Sequence, residues 1–162
     1  MIEIREASPD QFDEVWPIFE EVAKDADTYP YLPNISKDEA KAQWFAPHAK
    51  VFIAYDEGKP IATRYIIPNK SGLGNHVCNM GVMIDKNYRG QGVGRAMMEF
   101  GINKAKELGF RAIQLNLLVC TNLASIKLCE QYGFVKIGTL PGAFFYKQEK
   151  YIDAFVMYKK LV

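Results

Sequence analysis

A run of alternating glycines set between two arginines, Arg89-Gly90-Gln91-Gly92-Val93-Gly94-Arg95, is the segment of this chain best suited to chemistry. It follows a stretch of strand character, Val77–Ile84, and opens a stretch with helical spacing. The first backbone N–H groups of a helix have no partner within it, and the helix dipole adds positive potential there. Glycine has no Cβ to hold an anion away from the backbone. Arg89 and Arg95 bring further positive charge. The chemistry that fits is the cradling of an anion, most naturally a pyrophosphate. A Walker A loop does not fit, because Gly94 is followed by Arg95-Ala96 where Lys and Ser or Thr are needed. A Rossmann fingerprint fits poorly, because these glycines come late in the chain and at a constant spacing of two. On this run alone, an ordinary strand-to-helix turn remains an open reading.

Two amides are the next candidates. Asn79 stands in Val77-Cys78-Asn79-Met80-Gly81 and Asn116 in Leu115-Asn116-Leu117, both in apolar strand-like stretches. An amide is costly to bury unless it is hydrogen-bonded. Either each satisfies a backbone group, for instance at a bulge, or the pair faces across neighbouring strands and holds a polar group of a substrate. An amide cannot act as a base, but it can orient a carboxylate or carbonyl. The cysteines Cys78, Cys120 and Cys129 are odd in number and match no zinc or redox spacing. They read as free thiols of a reducing compartment. With only His48 and His76 to offer imidazole, a metal centre is not expected.

These residues need elements to position them. Met1–Ala7 alternates as a strand does. Ser8-Pro9 opens a helix with Phe12, Val15, Trp16, Phe19, Val22 and Ala23 on one face. The aromatic, proline-containing loop Thr28–Pro33 ends it. A second helix runs from Ser36 to about Phe45, with a capping box from Ser36 to Glu39. Lys50–Tyr55 and Pro60–Ile67 read as a hairpin turning at Asp56-Glu57-Gly58-Lys59. After strand Val77–Ile84, a helix starts in the glycine run and stops at Gly109. Ala112–Val119 is a strand and Asn122–Tyr132 a helix closed by Gly133. Phe134–Leu140 and Tyr151–Leu161 are strands around a loop containing Pro141-Gly142. The order β-α-α-β-β-β-α-β-α-β-β describes a mixed α/β domain.

Composition narrows the function. The chain has 162 residues, 49% hydrophobic and 24% charged, which is one ordinary globular domain spanning 1–162. Lys+Arg is 20 against Asp+Glu 19, so the basic excess of a nucleic-acid binder is missing. No apolar run is long enough for a bilayer span, and MIEIREASPDQF lacks the apolar core of a signal peptide. A cytoplasmic protein is expected, with neither a membrane nor a nucleic-acid partner.

Arg-x-x-Gly-x-Gly at Arg89–Gly94 resembles the acyl-CoA-binding motif of the GNAT superfamily of N-acetyltransferases. Asn122–Phe134 (Asn-Leu-Ala-Ser-Ile-Lys-Leu-Cys-Glu-Gln-Tyr-Gly-Phe) is similar to the superfamily's second signature, with Cys129 in place of its tyrosine. The element order is also similar, so the resemblance covers essentially the whole chain. It implies a GNAT-like acyl-CoA N-acyltransferase fold, a mixed sheet of about seven strands splayed in the middle and flanked by about four helices. Acetyl-CoA would lie between Val77–Ile84 and Ala112–Val119, with no metal. Its pyrophosphate would rest on Gly90, Gln91, Gly92, Val93, Gly94 and Arg95, beside Arg89. The backbone of Val82, Met83 and Ile84 would pair with the pantetheine arm as an added strand does. Asn122 and Ser125 would flank the arm from the far side, Asn122 doubling as a helix N-cap.

The chemistry implied is direct attack of a neutral amine on the thioester in a ternary complex. The developing oxyanion would meet a backbone N–H near Gly81–Met83. Asn122, Cys129 and Tyr132 are the candidates for catalysis. Cys129 is a proton donor for the leaving thiolate or a packed wall residue, and Tyr132 lies three positions on along the same helix face. The central strand carries no carboxylate to serve as base. Asn79, Asn116, Asn122 and the C-terminal segments are similar to acetyltransferases acting on proline analogues such as azetidine-2-carboxylate, with phosphinothricin-type enzymes as looser relatives. By that likeness Asn79 and Asn116 hold a substrate carboxylate. Tyr31 and Phe144 wall the substrate, in a set with Tyr29, Trp44, Phe45, Phe145 and Tyr146. The expected partner is a small-molecule amine, and a homodimer through the C-terminal strands is the family habit. A protein or peptide N-acetyltransferase and a non-catalytic acyl-CoA sensor are the alternatives.

Overall fold

The computed structural model describes residues 1–162. Its elements are β1 (Ile2–Ala7), α1 (Phe12–Asp25), α2 (Lys37–Trp44), β2 (Lys50–Asp56), β3 (Lys59–Pro68), β4 (Val77–Ile84), α3 (Val93–Glu107), β5 (Ala112–Val119), α4 (Leu123–Gln131), β6 (Val135–Tyr146) and β7 (Lys150–Lys160). The strands form one seven-stranded sheet in the order β1-β2-β3-β4-β5-β7-β6. Every pairing is antiparallel except that of β4 with β5. The α/β class, the strand number and the four helices match the sequence reading. No helix is long and apolar enough to cross a membrane.

Strand periodicity explains how both faces of the sheet are covered. Along β2, Val51, Ile53 and Tyr55 pack with Phe12, Val15, Phe19 and Val22 of α1 and Trp44 of α2. The alternate residue Phe52 packs on the opposite face with Met98 and Ile102 of α3. The central strands are therefore apolar on both sides, as buried strands are. The Trp44 indole N–H donates to Thr63 Oγ1 at 3.0 Å, and the Thr63 hydroxyl donates to the Phe52 carbonyl at 3.0 Å, so this buried polar chain is satisfied. The Ser36 capping box forms as read: the Glu39 N–H donates to Ser36 Oγ and the Ser36 N–H to Glu39 Oε2, each at 3.2 Å.

Pro141-Gly142 is not a loop between strands. β6 runs through it to Tyr146, and the turn lies at Lys147–Glu149, with positive φ at Lys147 and Gln148. Pairing with β7 jumps from Leu140↔Ala154 to Phe144↔Ile152, so Pro141 and Gly142 form a bulge. β6 is an edge strand, where the missing proline N–H forfeits no ladder bond. The bulged Gly142 N–H donates instead to Asp153 Oδ1 at 3.0 Å.

The feature that matters most for function lies at the centre. β4 and β5 pair only at Val77↔Ala112 and Cys78↔Ile113 and then diverge. β5 also slips its register against β7 between Leu115 and Leu118, which places Asn116 in a bulge on the diverging segment.

Candidate active site

The divergence of β4 and β5 opens a cleft of about 690 Å³, within the usual size of a small-molecule site. Arg89, Gly90 and Gly94 lie at one end of it. The backbone N–H groups from Gly90 to Arg95 have no acceptor within the protein. Gly90 and Gly92 hold φ of 74° and 84°, and Gly92 is the N-cap of α3. A Cβ at either would meet nothing within 4 Å, so backbone conformation, not crowding, calls for glycine there. Val93 contributes only its N–H, since its side chain is buried. The Gln91 amide donates to the Asn87 carbonyl at 2.7 Å and shapes the turn. Arg95 Nη2 donates to Gln131 Oε1 at 3.3 Å, and its guanidinium lies over the Tyr132 ring, so that charge is held by α4 at the rim.

Beyond the cradle runs a free strand edge. Antiparallel pairing uses alternate residues of β4 to bond β3, and the Asp85 N–H donation to the Ile61 carbonyl fixes which set. Met80, Val82 and Ile84 turn their N–H and C=O groups the other way, toward the space β5 has vacated. Met83, expected to share in pairing with a pantetheine arm, has the opposite phase: its backbone faces β3 and its side chain is core. Val82 and Ile84 keep that capacity. Tyr29 stands on this edge, accepting from the Val82 N–H at 2.6 Å and donating to the Val82 carbonyl at 2.8 Å.

A diverging parallel pair with a glycine-opened helix at its mouth has clear relatives. The family model "Acetyltransferase (GNAT) family" matches residues 9–134. The chain belongs to that family. A GCN5-related N-acetyltransferase from Kribbella flavida has the same fold, with a TM-score of 0.90 and 33% identity over 98% of this chain and 97% of that one. YwnH of Bacillus subtilis, whose name points to phosphinothricin acetylation, is 30% identical over 72% of this chain and 71% of its own length. N-acetyltransferase aca1 of Schizosaccharomyces pombe is 34% identical over 57% of this chain. The match spans only 44% of that relative's length. The enzyme class of the GNAT domain is N-acetyltransferase.

In this GNAT domain Asn79 and Asn116 line one cleft but are not hydrogen-bonded to each other. Asn79 Nδ2 donates to the Tyr65 hydroxyl at 3.3 Å. Asn116 Nδ2 donates to Asn69 Oδ1 at 2.7 Å, and Asn116 Oδ1 accepts from Gln114 at 3.1 Å. Asn69 was not singled out from sequence, because only the fold brings β3's end to β5. Asn122 lines the cleft and caps α4, its Oδ1 accepting from the Ser125 N–H at 3.4 Å.

The candidate acids separate. Cys129 reaches the cleft wall, but only 2% of it is exposed, and burial pushes its thiol up to about 11, so it stays protonated. Tyr132 does not line the cleft. Tyr132 caps α4, its N–H still bonded to the Leu128 carbonyl, but its hydroxyl turns away from the cleft. Its hydroxyl donates to Glu99 and accepts from Arg95 at 3.3 Å. Tyr132→Phe is therefore expected to leave the turnover number within about twofold of wild type, as measured by thiol release; a hundredfold loss would return the phenol to the reaction.

The aromatic wall also differs from expectation. Tyr31 and Tyr146 line the cleft with Tyr29 and Tyr65. Phe144, expected to wall the substrate, is 5% exposed in the core and does not line the cleft. Trp44 and Phe45 pack in the α1–α2 core. Phe145 is exposed and stacks on Tyr151 at 4.7 Å. Burial raises the phenols of Tyr29, Tyr31 and Tyr65 above the ordinary value, which makes them hydrogen-bond donors and not bases.

Sequence reasoning missed Arg64. It lines the cleft, is 2% exposed, and its Nε is buried without an acceptor. The signal was available: an arginine inside Ile61-Ala62-Thr63-Arg64-Tyr65-Ile66 is costlier to bury than either of the two asparagines.

Proposed function

We propose that this GNAT domain transfers an acetyl group from acetyl-CoA to the amine of a small carboxylate-bearing molecule, an amino acid or a cyclic proline-like one. The observation that carries this reading is the placement of Asn79 and Asn116, from the two diverging strands, in the cleft bounded at one end by Gly90 and Gly94 of the unpaired N–H run and along its side by the β4 edge. The pyrophosphate would take the N–H groups of Gly90–Arg95, and the pantetheine arm would run along Val82 and Ile84 as a third strand. Because Tyr29 already holds the Val82 N–H and C=O, its hydroxyl would give way to the arm or share that edge with it. The two amide side chains would donate to the acceptor's carboxylate and aim its amine at the thioester. The amine lone pair attacks the carbonyl carbon, an edge N–H of β4 takes the oxyanion, and the C–S bond then breaks. β4 itself carries no carboxylate, so the ammonium proton would leave through water, with Asp25 and Asp27 the carboxylates lining the cleft.

The test is thiol release from acetyl-CoA across azetidine-2-carboxylate, proline, common amino acids, their amides, polyamines and a short peptide. The expected result is a signal confined to carboxylate-bearing amines, with KM for the acceptor raised about tenfold or more in Asn79→Ala and in Asn116→Ala, one lost charge-assisted hydrogen bond each. Activity with polyamines or peptide alone would exclude the amide clamp. Silence with every amine, alongside intact acetyl-CoA binding, would instead mark a sensor.

A further inference from the structure

Arg64 is a cation buried in the middle of the fold with no partner. It makes no ion pair, and no acceptor lies within hydrogen-bond distance of its buried Nε. An unpaired buried guanidinium is among the costliest groups a protein can hold, yet the fold makes room for it. Gly101 of α3 lies beneath it, where a Cβ would stand 3.0 to 3.1 Å from Nε, Cδ and Cζ. The titratable groups facing it are Tyr29 from the loop after α1, its neighbour Tyr65, Cys78 of β4 and Cys129 of α4, none of them a carboxylate. Gly101, the α3 residue beneath it, is not titratable.

The location is specific. Cys78 belongs to the last residue pair before β4 and β5 part, and Cys129 is on α4 across the opening. Arg64 lines the cleft together with Met80 and Cys129, and its charge opposes the burial that raises the Cys78 and Cys129 thiols, so the guanidinium lies near the fork. It lies on the α3–α4 side of the sheet, whereas Asn79 bonds Tyr65 on the α1–α2 side. An acceptor carboxylate held by the asparagines is thus on the other face. A pantetheine arm anchored at Gly90–Arg95 and running back along Val82 spans about four strand residues, ~13 Å, to Met80 at the fork. The sulfur of such an arm would lie near the fork.

We propose that Arg64 is a catalytic residue that stabilises the departing CoA thiolate by charge, an assignment that rests on the acetyl-CoA reading above. As the tetrahedral intermediate collapses, the C–S bond breaks and its electron pair goes to sulfur beside the guanidinium. The amine's proton passes to water, and the thiolate takes a proton from water on release. Arg64 itself transfers none: burial lowers its pKa only to about 10, so it remains a cation at neutral pH. This supplies what Cys129, a weak and protonated donor, and the averted Tyr132 do not.

The test uses free CoA, so it needs no acceptor. CoA is titrated with pH on the wild-type protein, on Arg64→Met and on Arg64→Lys, following the ultraviolet absorbance of the thiolate. The expected result is a bound-CoA thiol pKa at least one unit below that of free CoA in wild type, no depression in Arg64→Met, and partial depression in Arg64→Lys. With acetyl-CoA and the best acceptor, Arg64→Met should lose about a hundredfold in kcat while the Kd for acetyl-CoA changes little. Thermal melting confirms that the variants fold. CoA bound with an unshifted thiol would overturn the role of Arg64 and leave the acetyl-CoA reading standing. If the wild-type protein binds no CoA, both fail. Preference for succinyl-CoA over acetyl-CoA that Arg64→Met reverses, with acetyl transfer unchanged, would make Arg64 a reader of the acyl chain and overturn the proposal.

Discussion

Gly81→Ala should lower stability by about 1–3 kcal/mol and reduce kcat/KM for the acceptor by at least about a hundredfold. A Cβ on Gly81 would lie 2.5 Å from Cε1 and 2.8 Å from Cζ of Tyr65, and 3.0 Å from the Tyr29 hydroxyl. The Tyr65 ring cannot retreat. It packs edge-on against Trp44 at 4.8 Å, and Trp44 is fully buried and tied to Thr63. The ring must shift along β4, taking with it the hydroxyl that accepts from Asn79 and crowding Tyr29 off Val82. The substrate face and the free edge would thus be disturbed together, while the cradle at Gly90–Arg95 would not. Thermal unfolding, acetyl-CoA binding and thiol release measure the three parts separately. Wild-type turnover in Gly81→Ala would show that the Tyr65–Asn79 contact lies outside the reaction.

Gly92→Asp should weaken acetyl-CoA binding by at least about a hundredfold, about 2.7 kcal/mol, with little loss of fold stability. Gly92 holds a φ of 84° at the N-cap of α3. A side chain there carries a strain of about 1 kcal/mol, least for Asn and Asp, and aspartate is a favoured N-cap that recovers part of it. The helix should persist. The new carboxylate would occupy the N–H groups meant for pyrophosphate and repel the phosphates at short range. Gly109→Asp is the matched control: its φ is 86°, its Cβ would also meet nothing within 4 Å, and it closes α3 far from the cleft. Equal binding by Gly92→Asp and Gly109→Asp would remove the anion cradle from the account.

What was legible in the chain is what depends on neighbours in sequence. Alternation in β1, the Ser36–Glu39 box and the glycine run all act over a few residues, and all produce the elements their spacing implies. The capping role of Asn122 is of the same kind. The Pro141-Gly142 turn signal was misleading because the same dipeptide also suits a bulge on an edge strand, and only sheet order makes β6 an edge. Tyr132 was misplaced because i, i+3 spacing sets a helix face but not where a long side chain ends, and its hydroxyl is held by Glu99 and Arg95. Phe144 was misplaced because an aromatic near a pocket can face either the pocket or the core.

The amino-acid sequence by itself determined the α/β class, the order of elements, the glycine run that opens α3 and the pair of amides that had to find partners. Tertiary structure alone decided the rest. It set where β4 and β5 part, which phase of β4 keeps its backbone free, and that Tyr29 lies on that edge. It also set a lone arginine on Gly101 at the fork. The physical reason is that local geometry and capping are fixed within one turn or one strand pair, whereas a cleft is made by groups far apart in sequence whose desolvation, hydrogen bonds and charges are settled only when the sheet closes around them.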